Sequence, residues 1–177
     1  FVKAQKMAAW VATHRPELAW WWPQLPPSPA GAMALVAAGT RDWPTDTRAV
    51  MGSSLGGFYA TVFAEAQGCR AVLINPAVEP ARDLTKYIGE LTAWHDPADR
   101  FFFRAEFVDE LRAMAPGALR DPTRYQTWGA KGDEVLDWRE MSARYAATEL
   151  HLLDGGDHAL SDFDTHLPAM RGFLALD

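Results

Sequence analysis

The chain has 177 residues, of which 49% are hydrophobic and 23% are charged, and this ordinary globular usage excludes a chain that is disordered throughout. Its 17 basic and 23 acidic residues give a net charge of −6, which argues against nucleic acid or an anionic membrane surface as a partner. The single cysteine, Cys69, excludes an intramolecular disulfide and a cysteine-based metal site, and it suits the reducing cytoplasm. No apolar run approaches the length of about 18 residues that a membrane span needs, and no signal peptide is visible.

Helix-like and strand-like segments alternate along most of the chain. Apolar residues recur at helical spacing until Pro16, which predicts a first helix over 2–14. The apolar run at 18–22, followed by the proline-rich PQLPPSPA, predicts a buried strand and then an extended loop. Later segments are predicted, in chain order, to be a helix at 30–42, a strand at 47–52, a helix at 56–67, a strand at 70–75, a strand at 124–129, a helix at 137–147, a strand at 149–153 and a helix at 163–176.

This alternation predicts an α/β fold in which a mostly parallel sheet is covered by helices on both faces. Residues 79–123 interrupt the alternation with helical stretches such as 101–115. A segment of this size, roughly 45 residues, is too short to build a core of its own. We therefore predict a single domain over 1–177 in which 79–123 forms a small helical cap inserted over the sheet.

A short motif, GSSLG at 52–56, matches the G-x-S-x-G pattern of a nucleophile elbow. The string alone is weakly specific, but an apolar strand precedes it and a helix of small residues follows, as an elbow requires. Small residues are needed because the serine stands on a strained turn, where bulky neighbours would clash with the strand and the helix. The motif makes Ser54 the predicted nucleophile. Four residues are expected to keep the surrounding space open: Gly52, Gly56, Gly57 and Ala60.

Two other interpretations of this segment are weaker. Ser53 would need a glycine at position 51 to match the motif, and Met51 stands there. A glycine-rich turn before a helix can also cradle a phosphate. However, no lysine follows as in a P-loop, and no G-x-G-x-x-G is present.

A serine nucleophile needs a general base, and a carboxylate must orient that base. Where the nucleophile stands on an elbow, the acid and then the base follow the serine along the chain, each in a loop after a strand. Asp133 follows the predicted strand at 124–129, and His158 lies in the loop DGGDH after the predicted strand at 149–153. Glu134 and Asp137 compete for the role of the acid, although Asp137 is also placed to cap a helix.

The other histidines are weaker candidates for the base, because they precede the acid or lie inside a predicted strand or helix. They are His14, His95, His151 and His166.

Several segments together resemble the YqiA-like esterase family, a small branch of the α/β-hydrolase superfamily. They are spread over nearly the whole chain and read KAQKMAAWVA, PQLPPSPA, GSSLGGFYAT, LINPAVEP, KGDEVLDWRE and GGDHAL. The resemblance implies an α/β-hydrolase fold with Ser54 as nucleophile, Asp133 as acid and His158 as base. It also implies hydrolysis of carboxylic esters, or of acyl thioesters such as acyl-CoA, without a metal or an organic cofactor.

The start of the chain departs from this family. Its members begin with a strand whose His-Gly loop supplies one amide of the oxyanion hole, and nothing similar precedes Phe1. We therefore expect residues upstream of Phe1 in the native protein that complete the site. The other oxyanion amide is expected from Leu55, next to the nucleophile.

Four phenylalanines of the predicted cap are candidates for lining an acyl-binding site. The alternative is that they only pack the cap onto the sheet. They are Phe101, Phe102, Phe103 and Phe107. The expected ligand is a small-molecule ester or thioester, with no nucleic acid as partner. A peptidase or a lactonase on the same scaffold, or a ligand-binding protein without turnover, are the alternative functions.

Overall fold

The computed structural model describes residues 2–85 and 104–177, and their strands form one parallel sheet. Its strands follow the spatial order β1-β2-β3-β4 and are β1 (Ala49–Ser53), β2 (Arg70–Ile74), β3 (Tyr125–Ala130) and β4 (Glu149–Leu153). The helices are α1 (Val2–His14), α2 (Pro29–Gly39), α3 (Leu55–Gln67), α4 (Pro80–Thr85), α5 (Ala105–Met114), α6 (Trp138–Arg144) and α7 (Phe163–Phe173).

The register of the sheet brings the carboxyl ends of its strands together. Ser53 at the end of β1 pairs with Ile74 of β2, and Ala130 at the end of β3 pairs with Leu153 of β4. Because all four strands are parallel, the loops that follow β1, β3 and β4 emerge at the same edge of the sheet. These loops hold the predicted nucleophile, acid and base.

Helices cover both faces of the sheet. Apolar side chains of β2 alternate between the two faces, so each face must be shielded from water. Val72 and Ile74 point into a cluster built with α1 and α7, where Met7 and Met170 are buried. Ala71 and Leu73 point into the opposite cluster, which contains residues of α3 and the buried ring of Tyr145. The prediction of an α/β fold with a parallel sheet covered on both faces is confirmed. Among the residues described, no helix is both long and apolar enough to cross a membrane.

Part of the predicted cap is described. In α5, Phe107, Val108 and Leu111 are buried together with Phe58 of α3, so this helix packs directly on the helix that follows Ser54. Residues 86–103, which belong to the predicted cap, lie outside the described part of the chain.

The prediction of a buried strand at 18–22 is wrong. The structure has no strand there, and Trp21 and Trp22 are 39% and 43% exposed. The apolar side chains pack beside other elements instead of entering the sheet. Trp21 lies across Gly39 at the end of α2, where an added Cβ would be 2.1 Å from its ring, and Trp20 packs on the cluster beneath α1.

Candidate active site

Ser54 occupies a sharp turn between β1 and α3. Its backbone has φ 59° and ψ −124°, a conformation that costs a non-glycine residue about 1–3 kcal/mol. Backbone hydrogen bonds hold it there: the Ser54 amide donates to the Ile74 carbonyl at 3.0 Å, and the Ser54 carbonyl accepts from the amides of Gly57 and Ala77, each at 2.9 Å. The turn is therefore imposed by the neighbouring strand and loop.

The glycines around the turn contribute in different ways. A Cβ on Gly52 would lie 1.9 Å from the Gly56 carbonyl oxygen and 2.9 Å from Cβ of Ala60, and a Cβ on Gly57 would lie 2.7 Å from Cβ of Pro76. Glycine is thus required at positions 52 and 57, because neighbouring atoms leave no space there for a Cβ. The expectation that Gly56 keeps space open by lacking a side chain is wrong, since a Cβ there would meet no described atom within 4 Å. It is the backbone carbonyl of Gly56 that lies close to Gly52.

The three predicted site residues come together. His158 Nε2 lies 3.0 Å from Ser54 Oγ, and His158 Nδ1 lies 2.8 Å from Asp133 Oδ2. The Asp133 side chain is fully buried, whereas that of His158 is 20% exposed. A carboxylate accepts a hydrogen bond from Nδ1–H, so Nε2 is left unprotonated and can accept the proton of the serine hydroxyl.

The geometry also separates Asp133 from the competing acids. The second oxygen of Asp133 accepts from the amides of Val135 and Leu136, both at 2.8 Å, so the carboxylate cannot swing away from the imidazole. Asp137 accepts from the Arg139 amide and caps α6. Glu134 accepts from the backbone amide of His158 at 3.0 Å, so its hydrogen bond is to the main chain of His158 and not to the imidazole.

The remaining histidines have other partners. His14 stacks on Trp10 within α1. His151 lies inside β4, stacked on Trp128, and His166 in α7 pairs with Asp162. His95 lies outside the described residues.

Leu55 is the first residue of α3, where helix amides lack intrahelical acceptors. Its amide donates no hydrogen bond within the described part of the chain, so it is available to an oxyanion beside Ser54. Of the aromatic candidates of the cap, Phe107 is buried in the cluster beneath α5, against which Leu55 also packs. Phe101, Phe102 and Phe103 lie outside the described residues.

Asn75 is a residue of this site that sequence reasoning missed. It follows β2 directly, is fully buried, and contacts both the end of β3 and the loop of His158. The sequence feature that could have indicated it is a polar residue directly after the apolar run RAVLI and immediately before Pro76.

The parallel sheet and the serine on its strand-to-helix turn define an α/β-hydrolase fold, and solved structures agree. Alpha/beta hydrolase domain-containing protein 10 from mouse matches with a TM-score of 0.59 and 18% identity, over 81% of this chain and 67% of that one. Est1E from Butyrivibrio proteoclasticus, solved with bound ferulic acid, matches with a TM-score of 0.61 and 16% identity, over 84% of this chain and 68% of that one. An alpha/beta superfamily hydrolase from Oenococcus oeni PSU-1 matches with a TM-score of 0.52 and 15% identity, over 89% and 78%.

The sequence itself matches a family model over residues 2–175, and the chain belongs to that family, the Uncharacterised protein family (UPF0227). This is the family of the YqiA-like proteins, so the predicted family membership is confirmed. Within the described residues, no group of three or more histidine, cysteine, aspartate or glutamate side chains is placed to hold a metal ion.

Proposed function

We propose that this protein is a serine hydrolase that cleaves carboxylic esters, with Ser54 as nucleophile, His158 as general base and Asp133 as the carboxylate that orients the base. The observation that carries the proposal is the continuous hydrogen-bonded chain from Ser54 Oγ through the imidazole to the buried Asp133, with contacts of 3.0 and 2.8 Å. A serine, a base and an orienting acid in this order form the arrangement that acyl transfer requires.

The proposed reaction has two halves. Ser54 Oγ attacks the ester carbonyl while His158 Nε2 takes its proton, and Asp133 stabilises the imidazolium that forms. The negative charge on the carbonyl oxygen is bound by the Leu55 amide, an interaction of the kind that contributes about 3–4 kcal/mol. His158 then returns the proton to the departing alkoxide, which leaves an acyl-enzyme. Water then attacks the acyl group while His158 takes its proton, and His158 returns that proton to Ser54 Oγ as the acyl–oxygen bond breaks and the acid is released.

The substrate part of the proposal is a small ester, with acyl thioesters such as acyl-CoA as a further class, because a thiolate can leave from the same tetrahedral intermediate. Esterases among the structural neighbours support the ester class. We further propose that 79–123 forms a cap within one domain and that Phe101, Phe102, Phe103 and Phe107 border the acyl group. A cytoplasmic location, which rests on the single cysteine, belongs to the same proposal.

The test is covalent labelling with a fluorophosphonate probe, combined with hydrolysis of p-nitrophenyl acetate. Ser53→Ala is the matched control, because it removes a hydroxyl from the adjacent residue, at the end of β1. We expect the wild-type protein and Ser53→Ala to be labelled and active, and Ser54→Ala to lose both, with a fall in turnover on the order of a million-fold. A wild-type protein that is neither labelled nor active on esters, thioesters, lactones or peptides would show that the proposal is wrong.

A further inference from the structure

Asn75 lies where the ends of three strands meet. It directly follows β2, its exposed fraction is 0%, and its φ is 42°, in the left-handed region that asparagine tolerates better than most residues. Its backbone amide donates to the Trp128 carbonyl of β3 at 2.8 Å. The side chain is therefore held in one place by the sheet itself.

The carboxamide of Asn75 joins the loops of the base and the acid. Its Nδ2 donates to the carbonyl oxygens of Asp157 and His158, at 3.1 and 2.9 Å. Its Oδ1 accepts from the Ala130 amide at 2.8 Å, at the end of β3 and three residues before Asp133. Both N–H groups and the oxygen of the amide are thus in use.

The loop that carries His158 needs such a support. The loop contains Gly155 and Gly156, and Gly156 has φ 84°. Because glycine can adopt many backbone conformations, the loop sequence alone does not hold one conformation. The imidazole must nevertheless stand within hydrogen-bond distance of Ser54 and Asp133 at once. The two bonds from Asn75 attach the backbone carbonyls of Asp157 and His158 to the end of β2.

We propose that Asn75 is a positioning residue: it holds the His158 loop against β3, so that the imidazole bridges Ser54 and Asp133. This rests on the function proposed above. The chemistry selects asparagine, because the site needs two donors and one acceptor at a positive φ. Aspartate has the same shape but no donor, and it would direct a carboxylate at two carbonyl oxygens.

The first experiment compares steady-state kinetics of Asn75→Gly and Asn75→Asp with those of Gln126→Met. Gln126 is the matched control: its amide is also buried, at 2% exposure, and it bonds Glu149 and Ala169 near the opposite end of β3. For both Asn75 variants we expect kcat to fall about 100-fold, the usual cost of misplacing a reacting group by about 1 Å, while KM stays unchanged. Gln126→Met should lose stability but keep its kcat.

A second measurement follows the Nδ1–H proton of His158 by NMR, which reports its hydrogen bond to Asp133 without any turnover. We expect a resolved low-field signal in the wild-type protein and in Gln126→Met, and a broadened or absent signal in Asn75→Gly. Wild-type kcat in the Asn75 variants, or an unchanged signal, would overturn the role of Asn75. An inactive wild-type protein would instead refute the proposed function, while the NMR comparison still decides the role of Asn75.

Discussion

Replacing Asp133 with asparagine tests the proposed triad most directly, because the structure determines how the new side chain would sit. One oxygen of Asp133 accepts from the amides of Val135 and Leu136, both at 2.8 Å. An asparagine would keep its oxygen there and direct its NH2 group at Nδ1 of His158. The imidazole would then have to accept at Nδ1 and carry its proton on Nε2, where it cannot take the proton of Ser54.

The expected loss is about ten-thousand-fold in kcat, which corresponds to about 5 kcal/mol of transition-state stabilisation. The matched control is Asp137→Asn, which alters the same functional group four positions along the chain. Asparagine caps a helix about as well as aspartate, so this variant should keep both its activity and its melting temperature. The assay is p-nitrophenyl acetate hydrolysis, with thermal unfolding of both proteins. Asp133→Asn that retains a tenth of wild-type kcat, or an inactive Asp137→Asn, would contradict the assignment.

Three further outcomes are expected. Gly52→Ala should lower stability by about 1–3 kcal/mol, because its Cβ would lie 1.9 Å from the Gly56 carbonyl oxygen, and thermal unfolding measures this. Gly56→Ala, where the added Cβ meets no described atom within 4 Å, should leave the melting temperature nearly unchanged; an equal loss in both variants would refute the steric explanation. Burial raises the pKa of the Cys69 thiol to about 11, so its reaction with a disulfide reagent at pH 8 should be slow in the native protein and fast in denaturant, and rapid native labelling would contradict its buried position.

Local sequence was enough to predict most elements and to single out Ser54, Asp133 and His158 as candidates, whose side chains the structure brings into one hydrogen-bonded chain. The strand at 149–153 and the helix at 2–14 have the predicted bounds, because their apolar spacing is that of a single strand or helix. The elbow was also recognisable, since the strained turn restricts the residue types beside Ser54. Asp133 and His158 could be predicted because each follows a strand in the order that the proposed chemistry needs.

Only the tertiary structure decided which side chains meet. Sequence left Glu134 and Asp137 as competing acids, and the loop after β3 directs Asp133 alone to the imidazole, while Asp137 caps α6 and Glu134 binds the backbone of His158. The apolar run at 18–22 resembles a strand, yet it does not join the sheet, and Trp21 and Trp22 remain partly exposed. The role of Asn75 depends on contacts about 80 residues away along the chain, at Asp157 and His158. Such contacts depend on which strands become neighbours and on how the loops pack at their ends, and the residues of one segment do not reveal this.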